Sequence, residues 1–151
     1  MFEQQTPHRL KKHELLADSA GPGRWRGGLG VETIFEIGSD DTQLVTFGDG
    51  DFEGAFGLAG GQGAGLNFIR LHYPDGRTVV PRNKDLITGV PKGTIYHQVA
   101  NGGGGFGDPK LRERRLLAEE VRNGLISREA AMRDYGATAA ELDAGAAGGK
   151  A

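Results

Sequence analysis

Apolar and polar residues alternate with a period of two in short stretches through the first hundred residues, and with a helical period after residue 109. From Val31 to Ile37, Val31, Thr33, Phe35 and Ile37 fall on one side and Glu32, Ile34 and Glu36 on the other, the pattern of a half-buried strand. Gln43 to Phe47 reads as a second strand, expected to form a hairpin with the first across the Ser39-Asp40-Asp41 turn. Leu66 to His72 reads as a third, with Leu66, Phe68, Arg70 and His72 on one face. Tyr73-Pro74-Asp75-Gly76 has the residues of a tight turn, after which Arg77 to Val80 should return antiparallel. Thr94 to Val99, β-branched and aromatic, predicts the last strand. Leu10 to Leu16 fits an entry strand and a helical turn almost equally.

After Asp108-Pro109, an N-cap oxygen followed by a preset first helical φ, a helix is expected to start at Pro109 or Lys110. Leu111, Leu117, Ala118 and Val121 form its apolar stripe, and Asn123-Gly124 its C-cap. Ser127 is placed to cap a second helix ending at Tyr135-Gly136, and Thr138 with Glu141 makes a capping box for a short third. The fold class predicted is α+β, mostly antiparallel β-structure with a C-terminal helical hairpin. Residues 1–137 are expected to form one domain, β-rich over 10–100 and helical over 109–136. A short helix and a disordered Ala/Gly tail fill 138–151, the disorder expected from Ala144 onward.

Glycine punctuates this pattern. The chain has 27 glycines in 151 residues, concentrated in three clusters: Asp18 to Gly30, Gly57 to Gly65 and Asn101 to Asp108. The last, Asn101-Gly102-Gly103-Gly104-Gly105-Phe106-Gly107-Asp108-Pro109, lies where the period changes. So many residues without a Cβ imply that something lies close against the backbone. An anion at the following helix start is one reading. However, Gly102, Gly104 and Gly107 match G-x-G-x-x-G almost automatically in such a run, no strand-helix-strand unit follows, and Asp108 would repel an anion. A structural hinge is the better reading.

With 37% hydrophobic residues, the chain carries less apolar material than a self-sufficient domain normally does, which points to a partner that buries the remaining surface. The net charge of -2 gives no general attraction to nucleic acid or anionic lipid, and seven basic against five acidic residues from Lys110 to Asp134 argue against a DNA-reading helix pair. Cysteine is absent, so thiolate chemistry and disulfides are excluded and a reducing, cytoplasmic setting is expected. No apolar run approaches membrane-spanning length and no signal peptide is recognisable.

Candidate chemistry is sparse. His8, His13, His72 and His97 lack metal-ligand spacing, and a site from His72, His97 and a carboxylate requires strands to bring them together. Gly48 to Glu53 has spaced carboxylates without a calcium-loop pattern. The serines sit where loops and caps explain them. No catalytic residue is assigned, and no metal site. Arg24-Trp25-Arg26 holds the only tryptophan between two arginines, the residue types most enriched at binding hot spots, and is the candidate partner contact.

These motifs together resemble one family. Asp18 to Gly30, with Gly21, Gly23, Gly27, Gly28 and Gly30, resembles the "DSGGxGxxRGGLG" segment of the hydantoinase B/oxoprolinase family. Gly102, Gly103, Gly104, Gly105, Phe106, Gly107, Asp108 and Pro109 resemble its "GGGGYGDP" segment, and Val121 to Gly136 its "VxxGLVSxExAxxxYG" helical pair. Ala20 replaces the usual second glycine and Phe106 the usual tyrosine. Pro91-Lys92-Gly93-Thr94 also fits the family, including its acetone and acetophenone carboxylase branch. The resemblance covers the family's C-terminal portion. It implies an ATP-dependent enzyme that hydrolyses cyclic amides or carboxylates ketones, with ATP and a divalent metal on partner portions and none in this chain. The implied partners are an upstream hydantoinase B portion and a hydantoinase A-type subunit, with this chain a split subunit or C-terminal fragment acting as scaffold and subunit contact, inactive alone. The alternative is a non-catalytic ligand- or protein-binding module that kept the fold.

Overall fold

A computed structural model describes residues 2–82 and 84–147. These form mostly antiparallel β-structure followed by helices, an α+β fold. The chain divides into two compact units, each assembled from separated segments. One takes residues 1–14, 31–52 and 66–100, the other 15–30, 53–65 and 101–151.

The first unit holds the strands. A one-turn helix α1 (Phe2–Gln5) precedes β1 (Arg9–Leu16), β2 (Gly30–Glu36), β3 (Thr42–Phe47), β4 (Phe68–His72), β5 (Thr78–Val79), β6 (Lys84–Val90) and β7 (Ile95–Ala100). Five of them make a sheet in the order β1-β2-β7-β4-β5, and β3 and β6 form a separate two-stranded ribbon. Strand β7 is antiparallel to both neighbours, with Ile34 and Arg70 opposite His97. The expected hairpin between 31–37 and 43–47 does not form. Both edges of β2 are occupied, by β1 and β7, so β3 takes its hydrogen bonds from β6, with Leu44 paired to Ile87, 43 residues downstream, in an irregular register. Strand β6 gave no clear signal because it opens on Lys84-Asp85, carries Gly89 at φ +66° and faces solvent along one side.

In β4 the buried residues are Ile69 and Leu71, on the face opposite the Phe68, Arg70 and His72 series. The Tyr73 to Arg77 turn closes as its residues predict. Gly76 adopts φ +88°, its N–H donates to the Tyr73 carbonyl at 3.0 Å, and the Tyr73 N–H donates to Arg77 O at 2.9 Å.

The second unit has a helical core of Leu117, Ala118, Ile126, Ala130, Ala131, Tyr135, Ala137 and Leu142. Asp108 accepts from the Lys110 N–H and opens a single 3-10 turn, Pro109–Leu111. The expected continuous helix breaks there. Arg112 and Glu113 are extended, with ψ of 136° and 122°, before α2 (Arg114–Arg122) begins. The break accompanies burial of the Arg112 side chain and removes Leu111 from the stripe, leaving it 65% exposed. Gly124 follows α2 at φ +70°. Ser127 caps α3 (Arg128–Tyr135) by accepting from Ala130 N–H at 3.0 Å. The Thr138–Glu141 box opens α4 (Ala139–Ala147), so Ala144 to Ala147 are helical, while the tail at 148–151 lies outside the described residues. Among the described residues no helix is long and apolar enough to cross a membrane.

Candidate functional site

The three glycine clusters meet in the second unit. Donors of the 102–107 segment fan out to separate neighbours: Gly102 to Ser19 O (3.1 Å), Gly103 to Gly28 O (3.0 Å), Gly105 to Gln62 O (2.9 Å), Phe106 to Trp25 O (2.8 Å) and Gly107 to Leu58 O (2.9 Å). A flat ladder offers each strand only two neighbouring edges. Here the segment is enclosed by surrounding backbone, and donors that an anion would need are bonded to carbonyls. Five of the six N–H groups over 102–107 are thus committed to carbonyls rather than open to a phosphate.

Close approach explains the residue type. A Cβ on Gly104 would lie 1.8 Å from the Phe56 carbonyl oxygen, and one on Gly27 equally close to that of Gly103. Gly21, Gly23, Gly102 and Gly105 likewise face backbone, whereas Gly28 has open space and Gly103 ordinary contact distances. Gly30 donates its N–H to Ser19 Oγ at 2.7 Å. Gly107 adopts φ +75°.

Arg26 points inward. Its Nε lies 2.6 Å from Glu120 Oε1, and Nη1 donates to its neighbour Gly27 O at 2.7 Å. Arg112 forks onto the same carboxylate, Nε to Oε2 at 3.0 Å and Nη2 to Oε1 at 2.8 Å, while its Nη1 holds the Arg24 carbonyl at 3.0 Å. One carboxylate on α2 thus ties together the tryptophan loop and the chain after the hinge. Tyr135, 2% exposed, lies in the adjoining core, and desolvation pushes its hydroxyl pKa up to about 12. A cavity of about 200 Å³ is lined by Asp18, Arg26, Gln62, Arg133, Asp134 and Tyr135. Its charges are largely engaged: Arg133 pairs with Asp134 at 2.7 Å and Asp18 accepts the Ser127 N–H at 2.7 Å. Sequence pattern did not reveal the Arg26–Glu120–Arg112 cluster, because nothing local marks residues 94 and 8 positions apart as partners.

Arg24 and Trp25 point outward. Trp25 is 59% exposed, with the Arg24 guanidinium 5.9 Å from its ring centroid. Phe106 is bridged to both Trp25 and Leu58, and all three are more than half exposed. A shallow recess of about 110 Å³ adjoins Trp25, lined by Arg24, Leu111, Glu113 and Leu116.

In the strand unit, Glu32 accepts from both Lys12 Nζ (2.7 Å) and His97 Nε2 (2.8 Å). The hydrogen bond from Lys12, then that from His97, holds its carboxyl below the usual range against desolvation. His72 bonds Thr78 instead, and its ring centre is 6.5 Å from that of His97. Among the described residues no group of three His, Cys, Asp or Glu side chains is disposed to hold a metal ion.

Residues 1–109 match the sequence profile of the hydantoinase B/oxoprolinase family. The chain is 32% identical, over 90% of its length, to the caprolactamase subunit beta of Pseudomonas jessenii, and 26% identical, over 82%, to the acetone carboxylase alpha subunit of Xanthobacter autotrophicus. It covers 24% and 20% of those proteins respectively. The crystal structure of the ATP-dependent caprolactamase from Pseudomonas jessenii superposes with a TM-score of 0.72 at 30% identity, over 96% of this chain and 27% of that one. The chain thus spans about a quarter of the length of these relatives, which are themselves subunits of larger enzymes.

Proposed function

Because the chain belongs to the hydantoinase B/oxoprolinase family, we propose that it serves as scaffold and subunit contact within an ATP-dependent enzyme that hydrolyses cyclic amides. It works with the polypeptide corresponding to the rest of the family subunit and with an A-type subunit. Amide hydrolysis is favoured over ketone carboxylation by the higher identity to the caprolactamase subunit than to the acetone carboxylase subunit. In this reading ATP and a divalent metal belong to those partner portions.

The observation that carries this reading is the outward row of Trp25, Phe106 and Leu58 on a backbone cluster closed on itself. A rigid base presenting an aromatic and an arginine to solvent has the composition of a contact hot spot. Arg24 and Trp25 are the contact residues in this account. Arg26 and the 102–107 backbone act from inside, holding them in place.

A hybrid in which this chain replaces the matching quarter of the Pseudomonas jessenii caprolactamase subunit beta tests the proposal. The hybrid should assemble with its companion subunit, and Trp25→Ala should weaken that assembly by about thirtyfold, the effect of a hot-spot residue worth roughly 2 kcal/mol. Assembly indifferent to Trp25→Ala would refute the contact, and a hybrid that does not assemble would refute the role.

A further inference from the structure

The ribbon of β3 and β6 has a face that its own unit leaves uncovered. In its register Val45 lies opposite Leu86 and Phe47 opposite Lys84, so Val45, Phe47 and Leu86 share one side. They are 75%, 86% and 59% exposed. The other side carries Thr46, which is buried and donates to Arg82 O at 2.7 Å, with Leu44 and Ile87 half-buried. The solvent side of a half-buried strand is normally polar. Two strands alone are marginally stable in water and gain independence by packing an apolar face against another element.

We propose that this ribbon face is a second docking surface, distinct from the tryptophan loop, that receives an apolar segment of the polypeptide corresponding to the rest of the family subunit. The inference rests on the function proposed above and adds where that polypeptide lies. Two observations select the occupant. The three side chains offer roughly 400 Å² of apolar surface, taking about 150–200 Å² for a whole large side chain. A second copy seated on the same patch would bury only about half of the ~800 Å² per partner that a stable specific interface needs. The same fold in the caprolactamase, moreover, occupies only 27% of a much longer chain, so polypeptide to cover the patch exists within one subunit. The partner surface should be aliphatic or aromatic at its centre. Lys84, 6.0 Å from the Phe47 ring and 3.6 Å from Asp49, remains at the rim, where it tolerates a carboxylate opposite.

The experiment is amide hydrogen exchange on the isolated chain and on the assembled hybrid subunit. In the isolated chain, amides of 42–47 and 84–90 should exchange faster than those of β2 and β7, independently of concentration. In the hybrid they should slow by at least about tenfold, as expected when a local opening becomes more costly. Val45→Ser with Phe47→Ser should reverse that slowing in the hybrid, while leaving the isolated chain's denaturation midpoint nearly unchanged, because both side chains face solvent there. An assembled hybrid whose ribbon exchanges as in the isolated chain overturns this proposal and leaves the subunit role standing. A hybrid that fails to assemble overturns both. Concentration-dependent protection in the isolated chain assigns the patch to a second copy and overturns it as well.

Discussion

Replacing Gly104 with alanine adds one carbon where the structure has no room for it. The new Cβ would sit 1.8 Å from the Phe56 oxygen and 3.1 Å from Gly57 N. A carbon and a carbonyl oxygen rest at about 3.3 Å or more, so the two segments must part by about 1.5 Å. Three hydrogen bonds tie them together beside that point: Gly105 N to Gln62 O, Leu58 N to Gly105 O and Gly107 N to Leu58 O, each at 2.9 Å. Stretched by such a shift they pass out of bonding range, and each loss costs about 1 kcal/mol. Overpacking adds about 1–3 kcal/mol, and the stiffer unfolded chain returns about 0.4–1 kcal/mol. The net destabilisation is about 4 kcal/mol. Urea denaturation followed by the fluorescence of Trp25, the only tryptophan, should show the midpoint falling by about 2 M for an m-value near 2 kcal/mol/M. Gly28→Ala is the control. It has nothing within 4 Å of a built Cβ and no positive φ, so its midpoint should hold or rise slightly. Equal midpoints for Gly104→Ala and the native chain, or equal losses for both variants, would refute the close-packing argument.

Glu120→Gln leaves Arg26 and Arg112 without their shared carboxylate and should cost about 3–5 kcal/mol in the same assay, as breaking a largely buried ion pair does. Tyr135, raised from 10.0 to about 12, keeps its proton in the folded state after the unfolded state has released it. Stability is therefore unaffected below pH 10 and falls by about 3 kcal/mol as pH rises to 12, a drop that Tyr135→Phe should remove in alkaline denaturation. Glu32 has the opposite sign: its carboxyl is held below 4.5, so its contribution is present above that pH and lost as pH falls through its folded value. Lys12→Met should flatten that part of the acid-denaturation curve.

Local chemistry carried much of this fold in the sequence. The Tyr73-Pro74-Asp75-Gly76 turn, the Ser127 cap and the Thr138–Glu141 box depend on neighbours within four residues, and each appears where its residues place it. Strand existence was legible where one face alternates cleanly, as in β2 and β7. Pairing was not, because the choice of β6 rather than β2 as partner for β3 is decided by which edges remain open after distant strands have docked. The helix break at Arg112 was hidden for a similar reason, since its cause is a carboxylate eight residues on and a carbonyl at Arg24. Glycine density announced close backbone approach. It did not say that the approaching backbone comes from the chain's own 54–65 and 18–30 segments, which is what turns a possible ligand loop into a closed base.

The central claim is that this chain contributes structure and contacts, with the reacting groups lying elsewhere in the assembly. ATP-dependent hydrolysis of caprolactam, hydantoin and 5-oxoproline, measured on the purified 151-residue chain and on the assembled hybrid caprolactamase, tests it most directly. The account predicts no turnover by the chain alone and lactam hydrolysis by the hybrid. Turnover by the chain alone, of any of the three amides, would contradict it.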